Sequence, residues 1–217
     1  MSVSLDVFLG NIGIVTACLP FIWVLFYWKR MVKSDSSRLI VALMLWYFIY
    51  NLSSELANSI FLFFEWYKIA VYFEWGELII LLMIYALKIP KQDFWRHLSG
   101  ALLLASLLLL GLHQFFEWKW QISFTLLSDV ILIWMSIRYM LEIYQTSTAT
   151  SLLHEPYFVF ATAVFGYSGI GVFVDLYEYI LMKQFHHSYV YFIVVFYVFG
   201  IAYYSVMNWL VWKIRNC

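Results

Sequence analysis

The sequence predicts an all-α polytopic membrane protein: a bundle of seven transmembrane helices in a single domain over residues 1–217, N-terminus outside the cytoplasm and C-terminus inside. Two observations give the class and a third gives the orientation. The composition is 65% hydrophobic and 12% charged, with a mean hydropathy of +0.82, outside the balance that lets a domain face water on its surface. Seven apolar segments are each close to the roughly 20 residues a helix needs to cross a hydrocarbon core. Lys and Arg gather at alternate ends of those segments.

The seven predicted spans are 8–28, 39–63, 69–88, 97–115, 121–142, 157–181 and 189–212, and little chain is left for a soluble domain. The longest connection, 143–156, ends at Pro156, a natural first residue for the sixth span. The opening MSVSLD carries neither a basic run nor a small-residue cleavage site, so the first apolar run reads as a span and not as a leader. Lys29, Arg30, Lys33 and Arg38 flank the first connection. Lys88, Lys91, Arg96, Arg138, Lys213 and Arg215 fall on the same side, against only Lys68, Lys119 and Lys183 on the other. The positive-inside rule makes the first set cytoplasmic and places the chain in an inner membrane. Trp28, Trp66, Trp95, Trp118, Trp120 and Trp212 lie at span ends, where indoles favour the headgroup layer. A three plus one plus three arrangement of the spans is open, although no internal sequence repeat is evident.

Charge and cysteine usage exclude more than they select. Thirteen basic residues balance thirteen acidic ones, which gives no footprint for nucleic acid. Cys18 and Cys217 have no metal-ligand spacing and read as incidental.

Function is expected where polar residues interrupt the spans. Asn51, Ser54, Glu55 and Asn58 share one face of the second span, and Glu74 and Glu77 share a face of the third. Ser99, Ser106 and His113 recur in the fourth span, Thr125, Ser128 and Asp129 in the fifth, and Gly171, Asp175 and Glu178 in the sixth. With the N-terminus outside, these residues fall in the outer halves of their spans or near the midplane, so Asn51, Glu55, Glu74, Glu77, Asp129, Asp175 and Glu178 form the expected ligand- or cation-binding set. An acid at the bilayer centre costs about 2.5–3.5 kcal/mol on insertion scales. No Lys or Arg lies in the outer halves of the spans to offset it. Protonation, water in an outward-facing cavity, a bound cation or a cationic ligand are the remaining remedies. Glu74, Glu178 and His113 lie near enough to span ends to be ordinary interfacial residues, whereas Glu55, Glu77, Asp129 and Asp175 are deeper.

Known chemistries find little support. Retinal needs a Lys in the middle of the last span, where only Lys213 occurs, at its end. An intramembrane zinc hydrolase needs several histidines, and the sequence offers His113 with the adjacent His186 and His187, which on a helix point about 100° apart. No HExxH, GxSxG or Walker loop is present. A proton- or cation-coupled carrier is compatible with an acid-lined cavity. Pro20 is the only proline inside a span, and Gly166, Gly169 and Gly171 suit close helix packing as well as a broken helix. The ligand, any metal and any cofactor are left open.

Three segments carry a family resemblance. They are SSEL with Glu55, YFEWGELIILLMIY with Glu77, and EPYFVFATAVFGY with Pro156, Phe158 and Tyr167. Together with the order of spans, they resemble uncharacterised bacterial seven-helix membrane proteins of about this length, often encoded near or fused to sensor histidine kinases. The pattern departs at Glu155 and Val159, where that group has Asn and Trp. The resemblance implies a non-enzymatic sensor or signalling accessory whose partner is a cytoplasmic or membrane signalling protein, reached through the basic loops and the 143–156 connection.

Overall fold

The computed structural model describes residues 5–31, 35–60, 66–88, 121–146, 152–181 and 186–214, together with the single residue Leu104. Apart from Glu155, those residues are all helical. The helices are α1 (Leu5–Met31), α2 (Asp35–Ile60), α3 (Trp66–Lys88), α4 (Gln121–Thr146), α5 (Pro156–Leu181) and α6 (His186–Ile214), with one 3₁₀ turn at Leu152–His154. Six of the seven predicted spans thus coincide with long helices. The fourth, 97–115 with Ser99, Ser106 and His113, lies outside the described residues.

Two segments, Pro156–Leu176 and Val194–Lys213, are long and apolar enough to cross a membrane, while Ile14–Lys29 and Ser37–Ser53 are shorter apolar stretches. The expectation of seven uniform spans is corrected to this extent among the described residues. In α3 and α4 the apolar run is broken by Glu74 and Glu77, and by Asp129, Arg138 and Glu142. These residues were counted as interruptions of a span, yet they also dilute its hydropathy.

Each helix contributes an inward stripe at helical spacing. In α2 it is Ile40, Leu43, Met44 and Tyr47, in α4 Leu132, Met135, Ser136 and Tyr139, and in α6 Tyr203, Met207, Leu210 and Val211. The start of α5 is set by Glu155, whose carbonyl accepts from the amides of Phe158 and Val159 at 3.0 and 3.2 Å. Pro156 then takes the first helical position, where its missing N–H costs nothing.

Neighbouring helices pack in the order α1, α2, α3, α4, α5, α6, and α6 closes back on α1. Cross-ring contacts stiffen this closed bundle. Asn208 of α6 donates to the Thr16 carbonyl of α1 at 3.2 Å, and Tyr85 of α3 shares a hydrogen bond with Ser136 of α4 at 2.7 Å. Glu77 and Asp129 lie at one level and Tyr85 and Ser136 further along, so α3 and α4 run parallel. By the same reasoning α4 and α5 are antiparallel: Asp129 lines a cavity with Gly171, while Met140 meets Thr162. The outside of the bundle is apolar. Phe26, Ile49, Met83, Val130, Phe173 and Val198, one on each helix, are all exposed.

Candidate functional site: an acid-lined cavity

A cavity of about 280 Å³ opens among five of the helices. Glu74 and Glu77 come from α3, Thr125, Ser128, Asp129 and Leu132 from α4, and Tyr167, Ser168, Gly171, Val174 and Asp175 from α5, with Tyr50 of α2 and Phe196 of α6 completing the wall. Four carboxyl groups from three helices therefore line one space, and no Lys, Arg or His is among the described residues that line it. At 1.5 Å per residue the acids sit roughly 9–17 Å in from the nearer helix ends. That end is where α3, α4 and α6 begin and where α2 and α5 finish. Arg138 and Lys213, towards the opposite ends of α4 and α6, are remote from it.

Local geometry explains how the carboxyls are held. On α2, Trp46 and Tyr47 grip successive turns of α3. The Trp46 indole Nε1 donates to the Phe73 carbonyl at 2.7 Å, and the Tyr47 hydroxyl donates to Glu77 Oε1 at 2.6 Å. Gly76 makes this approach feasible, because a Cβ there would strike the Trp46 ring. The Tyr47 hydroxyl also lies 2.5 Å from that of Tyr203. A phenol has one proton, so with Tyr47 donating to Glu77, Tyr203 donates to Tyr47. A line of hydroxyls thus runs from the cavity wall on α3 through α2 to α6. Tyr167 stacks on Tyr203, centroids 4.7 Å apart and planes 14° apart, and ties α5 to the same group.

Asp129 is within hydrogen-bonding reach of Ser168 across the α4–α5 contact. Its carboxylate occupies the space where a side chain on Gly171 would begin. Ser128 donates to the Thr125 carbonyl at 2.8 Å. Glu74 differs from its neighbours, because its Oε2 is shielded from solvent and has no hydrogen-bond partner among the described residues. Among the described residues no three His, Cys, Asp or Glu side chains stand close enough to hold one metal ion.

Of the seven expected site residues, Glu74, Glu77, Asp129 and Asp175 meet in the cavity. Asn51 does not. Its amide donates to the Tyr47 carbonyl one turn back on α2 at 2.8 Å and lies beside the Tyr204 hydroxyl, so it fastens helices and does not line the space. Glu55 and Glu178 fall on α2 and α5, and their side chains lie outside the described residues, as do His113 and the side chains of His186 and His187. The glycine cluster is also corrected. A Cβ on Gly166 or Gly169 would meet nothing within 4 Å, so only Gly171 marks a close approach.

Sequence reasoning missed the tyrosines. Tyr47 and Tyr203 form the hydroxyl line and Tyr50 and Tyr167 line the cavity, but a hydropathy reading counts each ring as apolar. The signal was present as spacing: Tyr47 and Asn51 are one turn apart, and Tyr167, Gly171 and Asp175 follow at intervals of four.

The geometry defines a class: an all-helical ring, apolar outside, around a cavity walled by acids and tyrosines. Comparison with family models, curated proteins and solved structures returns no match.

Proposed function

We propose that this chain is a seven-helix inner-membrane protein, N-terminus outside and C-terminus inside. In this reading it acts as a non-enzymatic sensor or signalling accessory that takes a cationic ligand in an outward-facing site. The observation that carries the proposal is the convergence of Glu74, Glu77, Asp129 and Asp175 on one cavity, with no basic residue among the described residues of its wall. Carboxyls in a low-dielectric space are costly unless something offsets them, and a positively charged ligand does so reversibly.

Several features support the membrane setting. Large apolar side chains face outward on every described helix, an arrangement disfavoured in water and natural in lipid. Because α3 and α4 are parallel, α3 ends at the opposite end of the bundle from the one where α4 begins. The basic residues at the far ends of α4 and α6 accord with a cytoplasmic face there.

A route for the response is at hand. Glu77 is both a wall of the cavity and the last acceptor in the Tyr203–Tyr47–Glu77 line. A cation that draws the Glu77 carboxylate inward weakens its bond to Tyr47 and changes how α6 seats against α2. From Tyr203, α6 continues to Ile214 at the basic end, where a cytoplasmic partner would feel the shift.

The test is a thermal-stability screen of the detergent-purified protein against inorganic and organic cations, with Glu77→Gln and the remote Glu142→Gln alongside. Stabilisation of the wild type and of Glu142→Gln, diminished in Glu77→Gln, is the expected result. Identical responses from all three proteins would remove the site. Flux of the bound cation into proteoliposomes would replace the sensor reading with a carrier.

A further inference from the structure

The ligand itself can be narrowed, on the reading that the cavity is a binding site. We propose that it takes a small organic ammonium ion, with an aliphatic diamine fitting best, and not a bare metal cation.

The carboxyls line one cavity from three helices without gathering around a single point. No three potential ligands among the described residues lie within reach of one ion, so a divalent metal would find its coordination sphere incomplete. A molecule with two ammonium groups on an alkyl stem can meet acids on separate helices at once. Glu74 supplies the clearest vacancy for such a donor: the residue lines this space, and its buried Oε2 has no hydrogen-bond partner among the described residues. An ammonium carries three N–H donors and no acceptor, which matches an orphaned carboxylate oxygen.

The rest of the wall suits the stem. Tyr50, Tyr167 and Phe196 place aromatic rings in the same cavity. Ring faces attract alkylammonium groups and shield methylene groups from water, whereas a hydrated metal ion gains little from them. The space is also adequate: at roughly 30 Å³ per water-sized group, about 280 Å³ has room for a five-carbon diamine.

Binding of 1,5-diaminopentane to the full chain in detergent or nanodiscs, measured by calorimetry, tests this against 1,5-pentanediol, calcium and magnesium as competitors. The diamine should bind and the diol and both metals should not. Glu74→Gln should weaken the diamine at least tenfold while leaving the ligand-free protein as stable as the wild type or more so, because the variant removes an unpaired buried carboxyl. That combination separates loss of a ligand contact from loss of fold, and Glu74→Asp, keeping the charge, should recover part of the affinity. Binding of calcium or magnesium but not the diamine, abolished by Glu74→Gln, would overturn the ammonium assignment and leave the cavity a site. Binding of none of these, or diamine binding indifferent to Glu74→Gln and Asp175→Asn, would end both the assignment and the site.

Discussion

Tyr47 and Tyr203 face each other across the bundle with their hydroxyl oxygens 2.5 Å apart, and the same Tyr47 hydroxyl reaches Glu77 at 2.6 Å. One phenol thereby joins α2 to both α3 and α6. Tyr47→Phe keeps the ring and removes the bridge, leaving the Tyr203 hydroxyl and Glu77 each short of a partner in a buried place. The expected cost is about 1 kcal/mol, towards the lower end for a buried polar group left without its partner. Unfolding in mixed micelles, with Tyr203→Phe and the double variant, measures it. The two changes should be clearly less than additive, and strict additivity would mean that the hydroxyls do not act together.

Gly171 and Asp129 make a second pair whose consequence can be measured. A Cβ on Gly171 would occupy the position of the Asp129 carboxylate, whereas Gly169 has open space around it. Gly171→Ala should push the carboxylate away from Ser168, reduce ligand binding several-fold and cost about 1–3 kcal/mol as overpacking. Gly169→Ala should change neither property. Equal behaviour of the two variants in the calorimetric assay would show that the α4–α5 contact adapts to a methyl group.

What could be read from the sequence follows from which interactions have a periodic signature. Long apolar runs make the helices legible, and the described helices differ from the expected ends by only a few residues. The acids Glu74, Glu77, Asp129 and Asp175 stood out because each is costly where it sits. Helix faces and depth together point to a shared site, and neither says which faces of different helices meet. Asn51 shows the limit: it shares a face with Glu55, yet its amide turns back to its own helix, a choice that spacing cannot reveal. The inward stripes were hidden for a related reason. In a bundle apolar on both sides, Leu43 inside and Leu45 outside look alike, and so do Tyr203 in the core and Tyr72 on the surface.

The fit of Trp46 on Gly76 predicts a sharp loss on a conservative change. The indole lies where a side chain on Gly76 would begin, while its N–H holds the Phe73 carbonyl at 2.7 Å. Gly76→Ala should displace the ring, break that bond and shift Glu77 one residue away, at a cost of about 1–3 kcal/mol. Trp46→Phe removes the N–H but keeps most of the ring, so its cost should stay near 1 kcal/mol. Heat denaturation of the two variants distinguishes them. A smaller effect for Gly76→Ala than for Trp46→Phe would contradict the close approach.

Tyr85 and Ser136 offer the most direct test of how α3 and α4 are joined. Both are fully buried, and their 2.7 Å hydrogen bond lies further along the two helices than the acids. Tyr85 also packs against Tyr139 and Phe160, with centroids 5.3 and 6.2 Å away, so the ring belongs to the core whatever its hydroxyl does. Ser136→Ala alone strands the phenol O–H, and Tyr85→Phe alone strands the serine; either should cost about 1 kcal/mol or somewhat more. Removing both leaves two apolar surfaces of nearly the original shape, and the double variant should be at least as stable as the worse single one. Because this pair is outside the cavity wall, ligand affinity should be unchanged in all three proteins. A fall in affinity would mean that the seating of α3 on α4 is transmitted to Glu77 and Asp129, making the α3–α4 contact part of the binding site's support.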